Sequence, residues 1–327
     1  MVQSIVIVGA GIIGAAAALQ LAKAGHNVRV ISDGRPDATT SAFGWINASF
    51  YLDDDHHHLR VAGIDAWRRL TEVVPLSVTW DGCLCWDMPE TELQQTYNTL
   101  RGFGYPVEML NQDQIRLLEP SLREVPEMAL LFPNEGAAHS VDIPKQLLRG
   151  AQGFGAQILR NVTVKRVKMQ GGRTIGVDTS DGVITADQVI LAAGTGTAAL
   201  AQSADIAIPM VPRPAYILRT SPQPKVLNHI LAAPNGEIRQ EPSGQLLMPV
   251  AVSHQEDAAE VLTQSPTEAA DGAIDRLRGC SAEWTMYSGP KFYVQSGPCL
   301  RIIIQLWVQS VRGCMRPCYI QGSHLAH

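Results

Sequence analysis

Near its start the chain carries a short apolar run, Ile5 to Val8, with no polar break. Such a run predicts a strand buried on both faces, as in a parallel sheet. After a glycine turn, the alanine-rich stretch Ile12 to Ala24 predicts a helix stopped by Gly25. Val28 to Ile31 predicts a second buried strand. Further along, "LSVTWDGCLCWDM" and "AYILRT" alternate or run apolar as sheet strands do. "ETELQQTYNTLRGFG" predicts a helix ending at Gly102 or Gly104, and "GFGAQILRNVTVKRV" passes from a helix end into alternating strand residues. "ADQVILAAGTGTAAL", Ala186 to Leu200, predicts a strand running into Ala193-Gly194.

Composition narrows the class. At 327 residues the length suggests about two domains of ~150 residues each. Hydrophobic residues make up 46% of the chain, enough for a sizeable core. A net charge of −5 argues against a nucleic-acid partner, which favours a basic face. No apolar run reaches the ~18 residues of a membrane span; Ile302 to Val308 is short and is interrupted by Gln305. The N-terminus enters a strand pattern at once, so no secretory signal is expected. Six scattered cysteines fit a reducing cytoplasm better than a disulfide framework.

Between the first strand and helix, Gly9, Gly11 and Gly14 form G-x-G-x-x-G. The first glycine permits the tight turn, the second lets a pyrophosphate approach the backbone, and the third lets helix pack on strand. The first N–H groups of the helix, at Ile12 and Ile13, and the helix dipole suit a diphosphate. The second strand should end in an acid for the adenosine ribose. That position reads Ser32, with Asp33 one residue late and Arg35 nearby. Serine with an arginine could accept a 2′-phosphate, which would favour NADP. The motif alone therefore leaves FAD, NAD and NADP open.

Two later segments choose between them. "TTSAFGWINASF" (Thr39 to Phe50) follows the second strand as a small polar loop, and the "LAAG" strand end returns against the motif. With "VDIP" (Val141 to Pro144) opening a helix and with Val164, this order resembles the FAD-dependent D-amino acid oxidase, glycine oxidase and sarcosine oxidase family, from Met1 to about Pro249. The resemblance implies that Gly9, Gly11 and Gly14 hold the FAD pyrophosphate and that Asp33 stands in for the ribose-binding acid. Thr40, Ser41, Gly44 and Trp45 would line the phosphate and flavin side. Val164 would meet the adenine through its backbone, and Ala193 and Gly194 would pass close to the cofactor. No cysteine matches a covalent flavin attachment, so FAD is expected to be non-covalent.

The implied fold is α/β, a Rossmann-like FAD-binding domain interleaved with an α+β substrate domain carrying a mainly antiparallel sheet. The cofactor domain would take 1–75 and 140–203, and the substrate domain 76–139 and 204–285, with Pro209, Pro212 and Pro214 marking the crossing. The implied reaction oxidises the C–N bond of a small amino acid or secondary amine. The Cα–H faces the flavin, the imine hydrolyses, and electrons pass to O2 or another acceptor. Arg219 and Arg239 lie on candidate substrate-domain strands, and Arg239 is the candidate carboxylate contact, since arginine binds carboxylates bidentately. Two other readings stay open: an NADP-linked dehydrogenase, and an inactive product that binds dinucleotide without turnover.

Three clusters imitate metal or redox sites. "DDDHHH" (Asp53 to His58) is read as the solvated, dipole-favoured start of a helix rather than a metal site. Cys83 and Cys85 alternate on a strand and are read as sheet residues. Cys314, Cys318, His324 and His327 lack the Cys-to-His spacing of a zinc finger. No metal is expected.

The end of the chain follows other rules. From Trp284 to His327 it holds no Asp or Glu, although the whole chain has 31, and half of its six cysteines lie from Cys299 on. The resembled family closes with a proline- and aspartate-rich segment, then a strand, then a histidine-glycine turn; this chain has none in its own frame. Codons read one base out permit Pro-Ala-Asp-Asn-His-Pro-Val-Val-Gly across Cys299 to Val308, and a His-Ser-Gly element beyond. A frameshift between Arg278 and about Gly297 accounts for this, so 286–327 is expected to be an aberrant tail, loosely packed from about Gly297.

Overall fold

The computed structural model describes residues 1–35, 37–250, 265–280 and 292–301. β1 (Ser4–Val8), α1 (Ile12–Lys23) and β2 (Asn27–Ser32) form the expected opening unit. α1 buries Gly14, Ala15, Ala18, Leu19 and Ala22, the small residues of one face. The chain then runs through β3 (Trp45–Ile46), α2 (Asp54–Val73), β4 (Val78–Thr79), β5 (Cys83–Cys85) and α3 (Glu90–Gly102). β6 (Glu108–Asn111), α4 (Gln112–Leu118), β7 (Met128–Phe132), β8 (Gly136–Ala138) and α5 (Ile143–Gly153) follow.

β9 (Gln157–Arg160), β10 (Val164–Gln170), β11 (Arg173–Thr179), β12 (Gly182–Thr185) and β13 (Gln188–Leu191) come next, then α6 (Thr197–Gln202). The final elements are β14 (Val211–Thr220), β15 (Ile230–Ala233), β16 (Gly236–Gln240), β17 (Leu246–Pro249), α7 (Pro266–Cys280) and β18 (Phe292–Arg301).

Two layers matter for the site. A parallel sheet in the order β13-β1-β2-β9 is the Rossmann-like unit, with Val6 opposite Val189 and Val30 opposite Ile158. A ligand of such a sheet sits beyond the carboxyl ends of its strands, where the order reverses. α1 and α5 pack together on it, and β10-β11-β12 forms an antiparallel meander. The second layer is an eight-stranded sheet, β18-β14-β17-β16-β15-β5-β7-β6, antiparallel except where β15 meets β5. A small sheet, β3-β8-β4, joins the loop after β2 to the turn after β7.

Two expectations change. β18 pairs with β14 from Val211–Arg301 to Thr220–Phe292, so part of the segment 286–327 completes the large sheet and the ladder runs on past Gly297. A backbone ladder needs free N–H and C=O groups rather than family side chains, and the edge of β14 supplies them. The rest of the expected tail, 286–291 and 302–327, the latter with its four zinc-like residues, lies outside the described residues. The start of α2 is capped by the Asp53 side chain, which accepts from His56 N–H. His57, though, is buried rather than solvated: its Nδ1 lies 2.9 Å from Ala48 O and its ring stacks on Phe103. Among the described residues no helix is long and apolar enough to cross a membrane.

Candidate functional site

The glycine motif lies at the carboxyl end of β1, and each glycine has its own reason. Gly9 has φ +113°, and a Cβ there would stand 2.1 Å from Ala192 O. A Cβ on Gly14 would stand 2.0 Å from Gly9 O, so only glycine lets α1 start this close to its strand. Gly11 is different: a Cβ there would meet only the Thr39 hydroxyl, at 3.1 Å. Beyond that one hydroxyl, nothing else is within 4 Å of a Cβ there. The N-cap residue Gly11 has no side chain to cap α1 and no acid sits in its first turn; Ile12 N–H donates to Thr39 Oγ1, and Ile13 is exposed. A helix start led by glycine, with no acid in its first turn, suits an anion such as a diphosphate.

β13 returns beside β1, and Ala192 N–H donates to Val8 O. This places Ala193 and exposed Gly194 next to Gly9. Val164, at the start of β10, packs in the same cluster as Ile31 and Ala193. Ser32 ends β2, and Asp33 follows it. Both carboxylate oxygens of Asp33 are taken by Arg35, which donates from its backbone N–H and, at 2.6 Å, from Nε. The Arg35 side chain holds the Asp33 carboxyl below its ordinary range.

The loop after β2 forms the next wall. Thr40 closes a turn on Asp37, and Ser41 is buried. Gly44 has φ +77°, and a Cβ there would stand 2.3 Å from Ala138 O, so this position admits only glycine. Trp45 Nε1 donates to Glu135, a carboxylate with no exposure that also accepts from Ala48 N–H, Ser49 N–H and Tyr105 O–H. Burial pushes the Glu135 carboxyl up, against the pull of those hydrogen bonds.

Between this loop and α1 lies a cavity of about 330 Å³, lined by Ile12, Thr39, Gly44, Trp45, Arg60 and Ser140 among others. The Ser140 hydroxyl is buried, without a hydrogen-bond partner among the described residues. An orphan hydroxyl in the wall of a cavity is a candidate partner for a ligand's polar atom. Arg60 reaches the loop from α2, donating to Asn47 and to His56.

The large sheet meets the loop at Phe43 through Arg239, one of a cluster of buried charges. Glu241, just after β16, accepts from Arg219 Nη1 at 2.5 Å and Arg239 Nη2 at 3.0 Å, and lies 2.9 Å from His139 Nε2. His139 in turn meets Asp142, 2.7 Å from Nδ1. Arg239 also donates from Nε to Phe43 O at 2.5 Å. Its fork is therefore committed to the protein's own groups. Arg219 is only half engaged: it is buried, and its Nη2 has no partner among the described residues. Among the described residues no group of three or more His, Cys, Asp or Glu is arranged to hold a metal.

The sequence pattern thus led to the glycines and the loop, which the structure brings together. It missed Thr39, Arg60, Glu135, His139, Ser140 and Glu241. Thr39 stands at the head of the quoted loop, and His139 and Ser140 directly precede "VDIP". Glu135 carries no local signal, because its partners lie far along the chain; Glu241 has Arg239 two residues away, but Arg219 and His139 lie farther off.

Comparison with known proteins fits this geometry. The family of FAD dependent oxidoreductases (DAO) matches residues 4–276. The 4-methylaminobutanoate oxidase (formaldehyde-forming) of Paenarthrobacter nicotinovorans is 30% identical over 215 residues, 63% of this chain; the chain spans 26% of that relative's length. Glycine oxidase from Bacillus cereus ATCC 14579 has a similar fold, with a TM-score of 0.77, 18% identity, and coverage of 92% of this chain and 83% of that one. L-proline dehydrogenase from P. horikoshii is similar at a TM-score of 0.76 and 20% identity, over 90% and 81% of the two chains. The chain belongs to the family of FAD-dependent oxidoreductases.

Proposed function

We propose that this chain oxidises the C–N bond of a small amino acid or secondary amine that bears a carboxylate, using FAD held without a covalent bond. Gly9, Gly11 and the first N–H groups of α1, at Ile12 and Ile13, hold the diphosphate, with Gly14 setting the approach of the helix. Ser32, Asp33 and Val164 lie toward the adenosine half. Thr40, Ser41, Gly44 and Trp45 line the flavin half, and Ala193 and Gly194 pass beside it. FAD supplies the acceptor for the two electrons of the oxidation. The chain's own residues bind and orient: Ser140 offers a hydroxyl to the cavity, and Trp45 and Ile12 exclude water from it.

The observation that carries the substrate reading is the buried, half-used guanidinium of Arg219. A buried donor left unmade is costly, so it is matched to something that arrives. A carboxylate is the natural guest of an arginine. The carboxylate role expected of Arg239 passes to Arg219, because Arg239 is already engaged with Phe43 and Glu241. The names of the three relatives all describe an amine or amino acid that carries a carboxylate. The NADP alternative gives way to the family assignment, and Arg35 is paired with Asp33 rather than available for a 2′-phosphate.

Buried free thiols at Cys83 and Cys85 favour a reducing compartment such as the cytoplasm. The electron acceptor is O2 or another oxidant. To test the substrate reading, turnover of N-methylated and primary amino acids is compared with that of the same amines lacking the carboxylate. Arg219→Met should raise KM for the acids by about 30-fold or more and leave the carboxyl-free amines untouched. Equal effects on both would remove the carboxylate role.

A further inference from the structure

We infer that Arg239 is a positioning residue for the flavin-side loop, clamping the backbone on both sides of Gly44. The inference rests on the reading that this loop meets the flavin.

Arg239 sits on β16 at 3% exposure, and its register places it opposite Leu247 of β17. A buried guanidinium needs a counter-charge, and Glu241 provides it at 3.0 Å. If stability of the large sheet were the whole purpose, that pair would suffice. The fork instead reaches out of its own sheet. Nε donates to Phe43 O at 2.5 Å, Nη2 approaches Ala138 O at 3.4 Å, and Cζ lies 5.5 Å from the centre of the Phe43 ring.

Those two carbonyls bracket the tightest point of the loop. Gly44 N-terminally adjoins Trp45, and its missing Cβ would press on the same Ala138 O and lie 3.3 Å from Arg239 Nη2. Glu135 holds Trp45 from the opposite side through the indole. The backbone from Phe43 to Trp45 is thus gripped between a cation of the large sheet and an anion of the turn after β7. Lysine could still neutralise Glu241, but it is a point charge without Nε and cannot hold both carbonyls at once. Glu241 keeps Arg219 and His139 when Arg239 changes, so the buried acid is not left alone.

The test uses Arg239→Lys and Arg239→Met in the full chain. Three quantities are read: the FAD dissociation constant by flavin fluorescence, the shape of the flavin absorption bands, and Trp45 emission without FAD. The last is isolated by subtracting the Trp45→Phe counterpart of each protein. Both variants should fold. Both should bind FAD about tenfold to a hundredfold more weakly, with altered bands and a shifted Trp45 emission, and lysine should not rescue. Folded variants with unchanged affinity, bands and emission would overturn the inference. So would failure of Arg239→Lys to fold, which would make the residue a fold element. If the unmodified chain binds no FAD, the cofactor reading falls, and Trp45 emission alone still decides whether Arg239 sets the loop.

Discussion

The indole Nε1 of Trp45 donates to Oε2 of Glu135 at 2.9 Å, across 90 residues of sequence. One carboxylate thereby ties the loop after β2 to the turn between β7 and β8, and to Tyr105 through a 3.0 Å hydrogen bond. Glu135→Gln puts an amide NH2 against donors that need an acceptor. It should lower unfolding stability by about 3 kcal/mol, against about 1 kcal/mol for Tyr105→Phe. Urea unfolding with an unchanged slope and a lower midpoint is the expected result.

The ion network around Glu241 makes stability depend on pH. The hydrogen bond to Glu241 raises the His139 pKa, burial opposes it, and Asp142 adds to the rise. The folded state therefore holds this proton more tightly than the unfolded one, whose value is 6.5. The contribution is fully present below 6.5 and is lost as pH rises through the folded value. Glu241 behaves oppositely: burial raises its carboxyl, but His139, Arg219 and Arg239 outweigh burial and lower it. Its contribution is present above 4.5 and is lost as pH falls through the folded value. Urea midpoints should fall on both sides of this window, and His139→Gln should flatten the alkaline side and, because His139 also lowers Glu241, lessen the fall on the acid side.

Gly11 and Gly44 should fail in different ways. Gly11→Val meets only the Thr39 hydroxyl, so the protein should still fold at a small cost in stability and lose FAD binding. Gly44→Ala forces a Cβ toward Ala138 O at positive φ, and should cost about 1–3 kcal/mol even without FAD. Thermal unfolding of the FAD-free proteins separates the two.

These contrasts show what the sequence could convey. Gly9, Gly11 and Gly14 were legible because a phosphate-binding turn puts its chemistry in six consecutive positions. α1 and β2 were legible because apolar period and Gly25 agree. The large sheet was legible strand by strand but not in its order, since β5 joins β15 across more than a hundred residues. The charged cluster was not legible for the same reason: Arg219, Arg239 and Glu241 look like ordinary strand residues until His139 and Phe43 are brought to them. His57 was misjudged because a polar run gives no sign that one member turns inward onto Phe103.

The tail carries a separate proposal. The family match ends at residue 276, and the acid-free, cysteine-rich stretch follows soon after. We propose a one-base shift there. Sequencing the gene across codons 279 to 327 decides it: the shifted frame should read openly through the proline-aspartate and histidine-glycine elements. Restoring that frame should raise flavin retention and turnover together. A repaired protein no better than this one would show that the tail is not a defect.

The central claim is that FAD lies along the glycine-led start of α1 and the loop from Thr40 to Trp45. The most direct measurement is a titration of the purified chain with FAD, and separately with NADP, followed by flavin fluorescence and by Trp45 emission. The account predicts saturable FAD binding that alters Trp45 emission, is lost in Gly11→Val, and has no NADP counterpart. A chain that stays free of FAD, or that binds FAD equally well with valine at position 11, contradicts it.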